Sequence, residues 1–483
     1  MRHRWLLLLL LWLSPTVGAE SIYILHTNDL HGHLRADEQE PGGLDRIGTI
    51  LKVWRRSFPG RVVVLDAGDI AQGTLVSNLA RGAPMIDALE AAGYDAVVPG
   101  NHEFDWGPEG LTEILAPGRL PVVCANLVAE DGSSPYPAYR LIERGGVQIG
   151  VIGLITPETP SATAAGNTRG YRFLDPVQAV KDQLPALRKA GADVLIVLSH
   201  LGVEADRSLA RSVPELDLIV GGHSHTQLAQ GLREAGVPIV QTGCNARFLG
   251  LVEIELEGGR AAGAEARLIP VDREIPADPE IAAIVERYQE ELGFDARAVI
   301  AQAAEPIPLE PRPGHVDGPL GSLLADVLRA ETGAQVALFN HGGIRAALLP
   351  SGPITRERAF RLLPFDDPVV KLQVSGQGLL EALRHGLFSA PGAVQVSGLT
   401  AVLDPRNETV LEVRVDGAPL DPARQYTVAV PGFMAGGGDG YVMLREGLVL
   451  ERYPIPRELF ERYARRAGAL RKPEPGRLRN AHS

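Results

Sequence analysis

The sequence predicts an α/β protein of two domains, with helices layered around sheets. Three observations carry that expectation. The chain has 483 residues, beyond the roughly 250–300 at which a single core stops growing. Between residues 21 and 270, short runs rich in Val, Ile and Leu alternate with helix-like segments. Around 272–279 the alternation gives way to a polar stretch containing two prolines.

The runs at 21–25, 61–65, 120–124, 147–153, 193–198, 216–220 and 237–241 have the length and composition of strands buried on both faces. Residues 84–92 and 182–190 fit crossover helices. Asp278 can cap a further helix, Pro279 suits its first turn, and Ile281, Ile284, Val285, Tyr288 and Leu292 share a face before Gly293 ends it. This helix, within 273–295, is expected to connect a first domain over 20–272 to a second over 296–472. In the second, residues 320–330 predict a helix, and 335–339, 369–374 and 426–430 predict strands. A basic tail at 473–483 is expected to fray.

Residues 1–19 have the layout of an export signal: Arg2 and Arg4, an apolar run over 5–13, Pro15, then Val17-Gly18-Ala19 before a cut ahead of Glu20. The run is shorter than the roughly 20 residues that cross a bilayer, so an uncleaved anchor is the weaker alternative. No later stretch qualifies as a span, and the expected location is periplasmic or extracellular. Export permits one disulfide between Cys124 and Cys244, although both follow apolar runs that would equally bury free thiols. The net charge of −12 becomes more negative once Arg2 and Arg4 leave, which repels nucleic-acid polymers. A small anionic substrate would need local cations.

The chemistry-bearing residues fall in five blocks: Asn28-Asp29-Leu30-His31-Gly32-His33, Asp66-Ala67-Gly68-Asp69, Gly100-Asn101-His102-Glu103-Phe104-Asp105, Ser199-His200, and Gly221-Gly222-His223-Ser224-His225. Any one of them would pass for an ordinary turn or a hydrogen-bonded structural histidine. Together they place Asp, Asn and His after successive predicted strands, at the edge where open α/β sheets collect their ligands. Mixed carboxylate, imidazole and amide donors suit borderline divalent ions such as Zn²⁺, Mn²⁺ or Co²⁺.

With residues 24–33 (ILHTNDLHGH), 100–105 (GNHEFD), 221–225 (GGHSH), 340–345 (NHGGIR) and 436–441 (GGGDGY), the chain resembles the calcineurin-like metallophosphatases. Within them it is similar to the secreted 5′-nucleotidase and UDP-sugar hydrolase family, over nearly all of the mature length. The resemblance implies a four-layer αββα sandwich followed by a smaller α/β C-terminal domain. It implies one metal on Asp29, His31, Asp69 and His225, a second on Asp69, Asn101, His200 and His223, and a metal-bridged hydroxide that attacks phosphorus. In the same pattern His102 pairs with Asp105 and stabilises the transition state. Read without the family, Asp105 would pass as a helix-start carboxylate.

For the C-terminal domain the resemblance implies substrate contacts from Asn340, Arg345, Phe365, Phe433 and Asp439. Arginine suits bidentate contact with phosphate, and two phenylalanines could sandwich a base, although a Phe in such a segment is usually core. Two departures stand out. Where the family often has an arginine, residues 312–319 offer Arg312 or His315. Residues 366–367 are Asp366-Asp367 where small glycines are common, and this negative charge would disfavour diphosphates or reshape the rim.

The resulting expectation is an exported hydrolase that removes phosphate from nucleoside 5′-monophosphates, with di- and triphosphates or UDP-sugars as further candidates. Its partner is a small nucleotide, and its oligomeric state stays open. The alternatives are a 2′,3′-cyclic-nucleotide phosphodiesterase with 3′-nucleotidase activity, and a non-catalytic nucleotide-binding receptor of the envelope.

Overall fold

Strand β1 (Glu20–Thr27) runs parallel to β2 (Val62–Asp66), with Tyr23 opposite Val62 and Thr27 opposite Asp66. The computed structural model describes residues 20–36, 41–116, 118–293, 295, 297–311 and 315–481, so the export signal read at 1–19 lies outside the described residues. The chain divides into two units. One holds the described residues up to Gln72, Val76–Thr159 and Asn167–Gly293; the other holds Gly73–Leu75, Pro160–Gly166 and the described residues beyond 294.

In the first unit, β1 and β2 belong to a five-stranded sheet, flanked by Ala96–Val97 on one side and by the antiparallel pair Phe248–Glu257 and Arg260–Pro270 on the other. A six-stranded sheet holds β3 (Val147–Ile155), β4 (Val194–His200) and β5 (Leu218–Gly221), mutually parallel, with Ile155 level with His200 and Ser199 level with Gly221. Along β4 the side chains alternate between faces. Val194, Ile196 and Leu198 join Ile22, Ile24 and Val63 in the core between the sheets, whereas Leu195 and Val197 face a second core. Helices α1 (Leu44–Ser57) and α2 (Ala83–Ala92) share the first core, and α3 (Pro176–Lys189) and α4 (Val203–Ser212) the second. The order is helix, sheet, sheet, helix, as the resemblance implied.

The helix expected as a connector, α5 (Pro279–Leu292), is packed on the first unit. Asp278 caps it by accepting from Glu280 N at 3.0 Å and meets Lys52 Nζ at 2.6 Å, while Ile281 and Val285 are buried in the first core. The run at 120–124 forms no strand; it makes one bridge, Val97 to Val122. Pro121 beside that bridge has no N–H to give a ladder.

In the second unit a five-stranded sheet runs Gln395–Ser397, Val336–Phe339, Gln425–Pro431, Val369–Ser375, Leu448–Arg452. Ala337 and Phe339 face helix Pro319–Thr332, while Val336 and Leu338 face helix Gly376–Phe388. The tail does not fray over its described part. Leu478–Asn480 adds a parallel strand to Leu399–Asp404, Leu478 is fully buried, and Arg477 grips Asp326 with both terminal nitrogens at 2.9 and 2.7 Å. The Asp317 carboxylate accepts from the backbone N–H groups of Gly476, Arg477 and Leu478.

Both cysteines are free thiols, and burial pushes Cys124 up to about 12, where it is inert. Among the described residues no helix is long and apolar enough to cross a membrane.

Candidate active site

The ends of β1, β2, β4 and β5 and the turn after Ala96–Val97 carry the five blocks. Past β1 and β2 the backbones stay side by side: Asp29 N donates to Gly68 O at 2.9 Å, His31 N to Asp69 O at 3.0 Å, and Gly32 N to Ile70 O at 2.9 Å. Asp29, His31, Asp69, His223 and His225 all have positive φ, between 46° and 73°. Asp and His tolerate that region better than most residues, yet each instance costs on the order of 1–3 kcal/mol and persists where surrounding bonds enforce it. The strained turns aim the side chains inward.

There they converge in two groups that share one residue. The ligand atoms of Asp29, His31, Asp69 and His225 lie within 4.8 Å of one another, as do those of Asp69, His200 and His223. His31 Nε2 faces His225 Nε2 at 3.0 Å, and His225 Nε2 is 3.3 Å from Asp29 Oδ1. His200 Nε2 is 3.2 Å from Asp69 Oδ2 without the alignment of a hydrogen bond, and Asn101 Oδ1 is buried with no partner. Outer bonds fix the rings: His31 Nδ1 meets Gln72 O at 3.0 Å and His200 Nδ1 meets Ala67 O at 2.6 Å, leaving each Nε2 turned inward. Asn28 steadies Asp29, donating to its Oδ2 at 2.6 Å.

The electrostatics fit cations. Burial opposes charge on Asp69, yet the imidazoles of His200, His102 and His31 hold it well below the usual carboxylate range. Burial also works against charge on His200, but Asp69 overrides it and lifts the ring to about 10. Burial together with the neighbouring His200 pushes His223 down to about 4. The Asp69 carboxylate thus draws positive charge onto His200, while His223 is kept neutral. Two imidazole nitrogens 3.0 Å apart, set among carboxylates, and an orphaned amide oxygen are a donor set that a divalent ion would satisfy.

His102 stands outside both groups. Its backbone N–H donates to Asp69 Oδ1 at 2.9 Å, its Nδ1 meets Asp105 Oδ2 at 2.7 Å, and its Nε2 is 4.0 Å from Asp69 Oδ2. The one-turn helix Asn101–Phe104 sets Asp105 three residues on, under the ring. Tied in this way, Nδ1 carries a proton and Nε2 faces the centre.

Sequence reasoning gave Glu103 no role. It is fully buried, and its carboxylate accepts four backbone N–H groups: Asp69 at 3.0 Å, Ile70 at 2.8 Å, Ala71 at 3.2 Å and Gly100 at 2.7 Å. It joins the turn bearing Asp69 to the turn bearing Asn101 and His102. The only signal was its place inside the motif, between His102 and Asp105. Glu103→Gln turns an amide N–H₂ toward two of those donors. Metal affinity should fall about 10–100-fold, read by titrating Mn²⁺ or Co²⁺ into the metal-free variant.

In the second unit, Asn340 Nδ2 donates to Asp439 Oδ2 at 2.9 Å, and His385 Nε2 meets Asp439 O at 2.7 Å, holding Asp439 at φ 50°. The Arg345 guanidinium lies 5.6 Å from the Phe365 ring centroid, and the Phe433 ring lies over Gly438. The five expected substrate residues therefore fall into local clusters. Arg312 lies outside the described residues; His315 bridges to Arg479, with its Nδ1 buried and unpartnered.

Two family profiles match the chain: calcineurin-like phosphoesterase over residues 22–227, and the 5′-nucleotidase C-terminal domain over 299–446. The fold and the histidine–carboxylate cluster thus define a metallophosphatase with an appended nucleotidase domain. A solved structure of a 5′-nucleotidase precursor from Thermus thermophilus is 30% identical, covers 96% of this chain and 100% of its own, and superposes with a TM-score of 0.86. The 5′-nucleotidase of Homo sapiens is 29% identical over 511 residues (91% of this chain, 87% of that protein), and an apyrase of Tabanus yao is 29% identical over 527 (94% and 93%). The chain belongs to the 5′-nucleotidase family of phosphoric monoester hydrolases.

Proposed function

We propose that this chain is an exported, dinuclear-metal hydrolase that removes phosphate from nucleoside 5′-monophosphates. The observation that carries the proposal is the convergence of two donor groups on Asp69, with the His102–Asp105 pair beside them. Asp29, His31, Asp69 and His225 would hold one divalent ion, and Asp69, Asn101, His200 and His223 the other. When bound, such a pair activates water and neutralises phosphoryl oxygens. Asp105 keeps a proton on His102 Nδ1, which leaves Nε2 to present a second proton to a phosphoryl or leaving oxygen as charge develops there. The strained turns and Glu103 hold these groups before substrate arrives, so little reorganisation is needed at the moment of reaction.

In the second unit, Phe365 and Phe433 would stack the base, Asp439 with Asn340 would take a ribose hydroxyl, and Arg345 would face phosphate. The names of the relatives support nucleotides as the substrate class, and the likeness to an apyrase supports trials of di- and triphosphates. UDP-sugars belong in the same trials. Export is supported by the pattern of residues 1–19; N-terminal sequencing of the exported protein should begin at Glu20.

The deciding experiment gives the Mn²⁺-, Co²⁺- or Zn²⁺-loaded enzyme AMP, 3′-AMP and 2′,3′-cyclic AMP. Release of adenosine and phosphate from AMP, well ahead of the other two, is the expected outcome. Preference for the cyclic substrate would favour the phosphodiesterase reading. AMP binding without turnover would favour a receptor.

A further inference from the structure

The adjacent aspartates 366 and 367, which set this sequence apart at the sequence level, have different fates in the fold. Asp366 is exposed and paired with Arg457, whose Nη2 lies 2.6 Å from its Oδ1. That guanidinium also donates to Leu363 O at 2.8 Å and lies 3.9 Å from the Phe360 ring centroid. Its charge is offset locally. Asp367 turns the other way, and its carboxylate accepts the backbone N–H of Phe433. The fit there is close: a Cβ on Gly432 would come within 2.8 Å of both Asp367 Oδ1 and Pro368 O, and Gly432 N donates to Pro368 O at 2.8 Å. The Phe433 ring in turn presses on the 436–440 turn, where a Cβ on Gly438 would lie 2.4 Å from it. Burial holds the Asp367 carboxyl up at about 6, opposed by the Phe433 N–H and by Arg452. A carboxylate that merely decorated a rim would stay hydrated; this one gives up water to hold a loop.

We infer that Asp367 is a positioning residue for nucleoside recognition, hooking the Phe433 segment to the Phe365 segment and so setting the placement of one aromatic ring against the other. The inference rests on the proposal that these two rings stack the base. Dispersion falls steeply with distance, and a gap of 0.5–1 Å already forfeits about a quarter to a half of a contact. A hydrogen bond that fixes the backbone of one stacking residue therefore bears on nucleoside affinity without touching the nucleoside. Hydrolysis of the phosphate itself should not feel it, because the metal donors and the His102–Asp105 pair proposed for that step lie in the first unit.

The test uses the Mn²⁺-reconstituted full chain and its Asp367→Ala, Asp367→Asn and Phe433→Ala variants, with metal content measured for each. kcat and KM are compared for AMP and for ribose 5-phosphate, which lacks a base. Asp367→Ala should raise KM for AMP about tenfold, part of what base stacking supplies, with kcat and metal content within about twofold of wild type and KM for ribose 5-phosphate unmoved. Asp367→Asn keeps an acceptor oxygen and should restore most of the affinity. If Phe433→Ala raises KM for AMP while Asp367→Ala leaves it unchanged, the positioning role is wrong and the stacking proposal stands. If Phe433→Ala also leaves KM for AMP unchanged, the stacking proposal fails with it. An equal rise for AMP and ribose 5-phosphate would mean general damage to the domain and would overturn the role as well. Should Asp367→Ala not fold, Asp367→Ser, too short to reach the Phe433 N–H, carries the same comparison.

Discussion

Asp69→Asn should strip the chain of both divalent ions and lower AMP turnover about 10³–10⁴-fold. Asp69 is the member common to both donor groups, so its loss removes a ligand from each. Two ions acting on a phosphoryl group supply several kcal/mol of transition-state stabilisation, and each 1.36 kcal/mol is tenfold in rate. Asparagine is the informative substitution because it keeps an oxygen for the His102 N–H, which bonds to Asp69 Oδ1 at 2.9 Å. The turn should therefore hold while the bridging charge disappears. Metal analysis by plasma mass spectrometry, run beside an AMP assay, reads both consequences. A variant that kept two ions and normal turnover would remove Asp69 from the centre.

His102→Ala should behave differently. The ring lies in neither donor group, so metal content should stay at the wild-type value. kcat for AMP should fall about 10²–10⁴-fold, the range spanned by positioned proton donors. Asp105→Asn should give a smaller loss in the same parameter, since the amide can still contact Nδ1 but no longer favours the charged ring. Reduced metal content in His102→Ala would instead make the ring a ligand. Unchanged kcat would end its assigned role.

The parts of this architecture that are legible in the sequence are those with strong one-dimensional signatures. Strands such as 193–198 are buried on both faces, so they read as continuous apolar runs that stop where His200 begins. The cap Asp278, Pro279 and the final Gly293 delimit α5 to the residue. What is illegible depends on partners far away in the chain. The antiparallel pair Phe248–Glu257 and Arg260–Pro270 alternates buried and exposed positions irregularly, and the run at 120–124 reads as a strand although Pro121 denies it a ladder. The tail looks frayed on composition alone because its anchors, Asp317 and Asp326, lie more than 150 residues earlier. The helix at 279–292 looks like a tether because its contacts with Lys52 and Asp87 cannot be read from local periodicity.

The site divides along the same line. Aspartate, asparagine and histidine at strand ends announce themselves by type and place. The left-handed backbone that points five of them inward does not, and neither does the fourfold acceptance by Glu103, since both arise from bonds between turns that only the fold brings together. Asp367 is the counterpart in the second unit. Its residue type marked a departure, but only the fold gave the carboxylate a partner.

The most direct measurement is crystallographic: anomalous scattering at the absorption edge of the bound metal, from crystals of the Mn²⁺- or Zn²⁺-loaded protein. Two peaks should appear, roughly 3.5–4 Å apart, both within bonding distance of Asp69 and flanked respectively by Asp29, His31 and His225 and by Asn101, His200 and His223. A single peak, or peaks away from Asp69, would contradict the dinuclear centre on which the proposed hydrolysis depends.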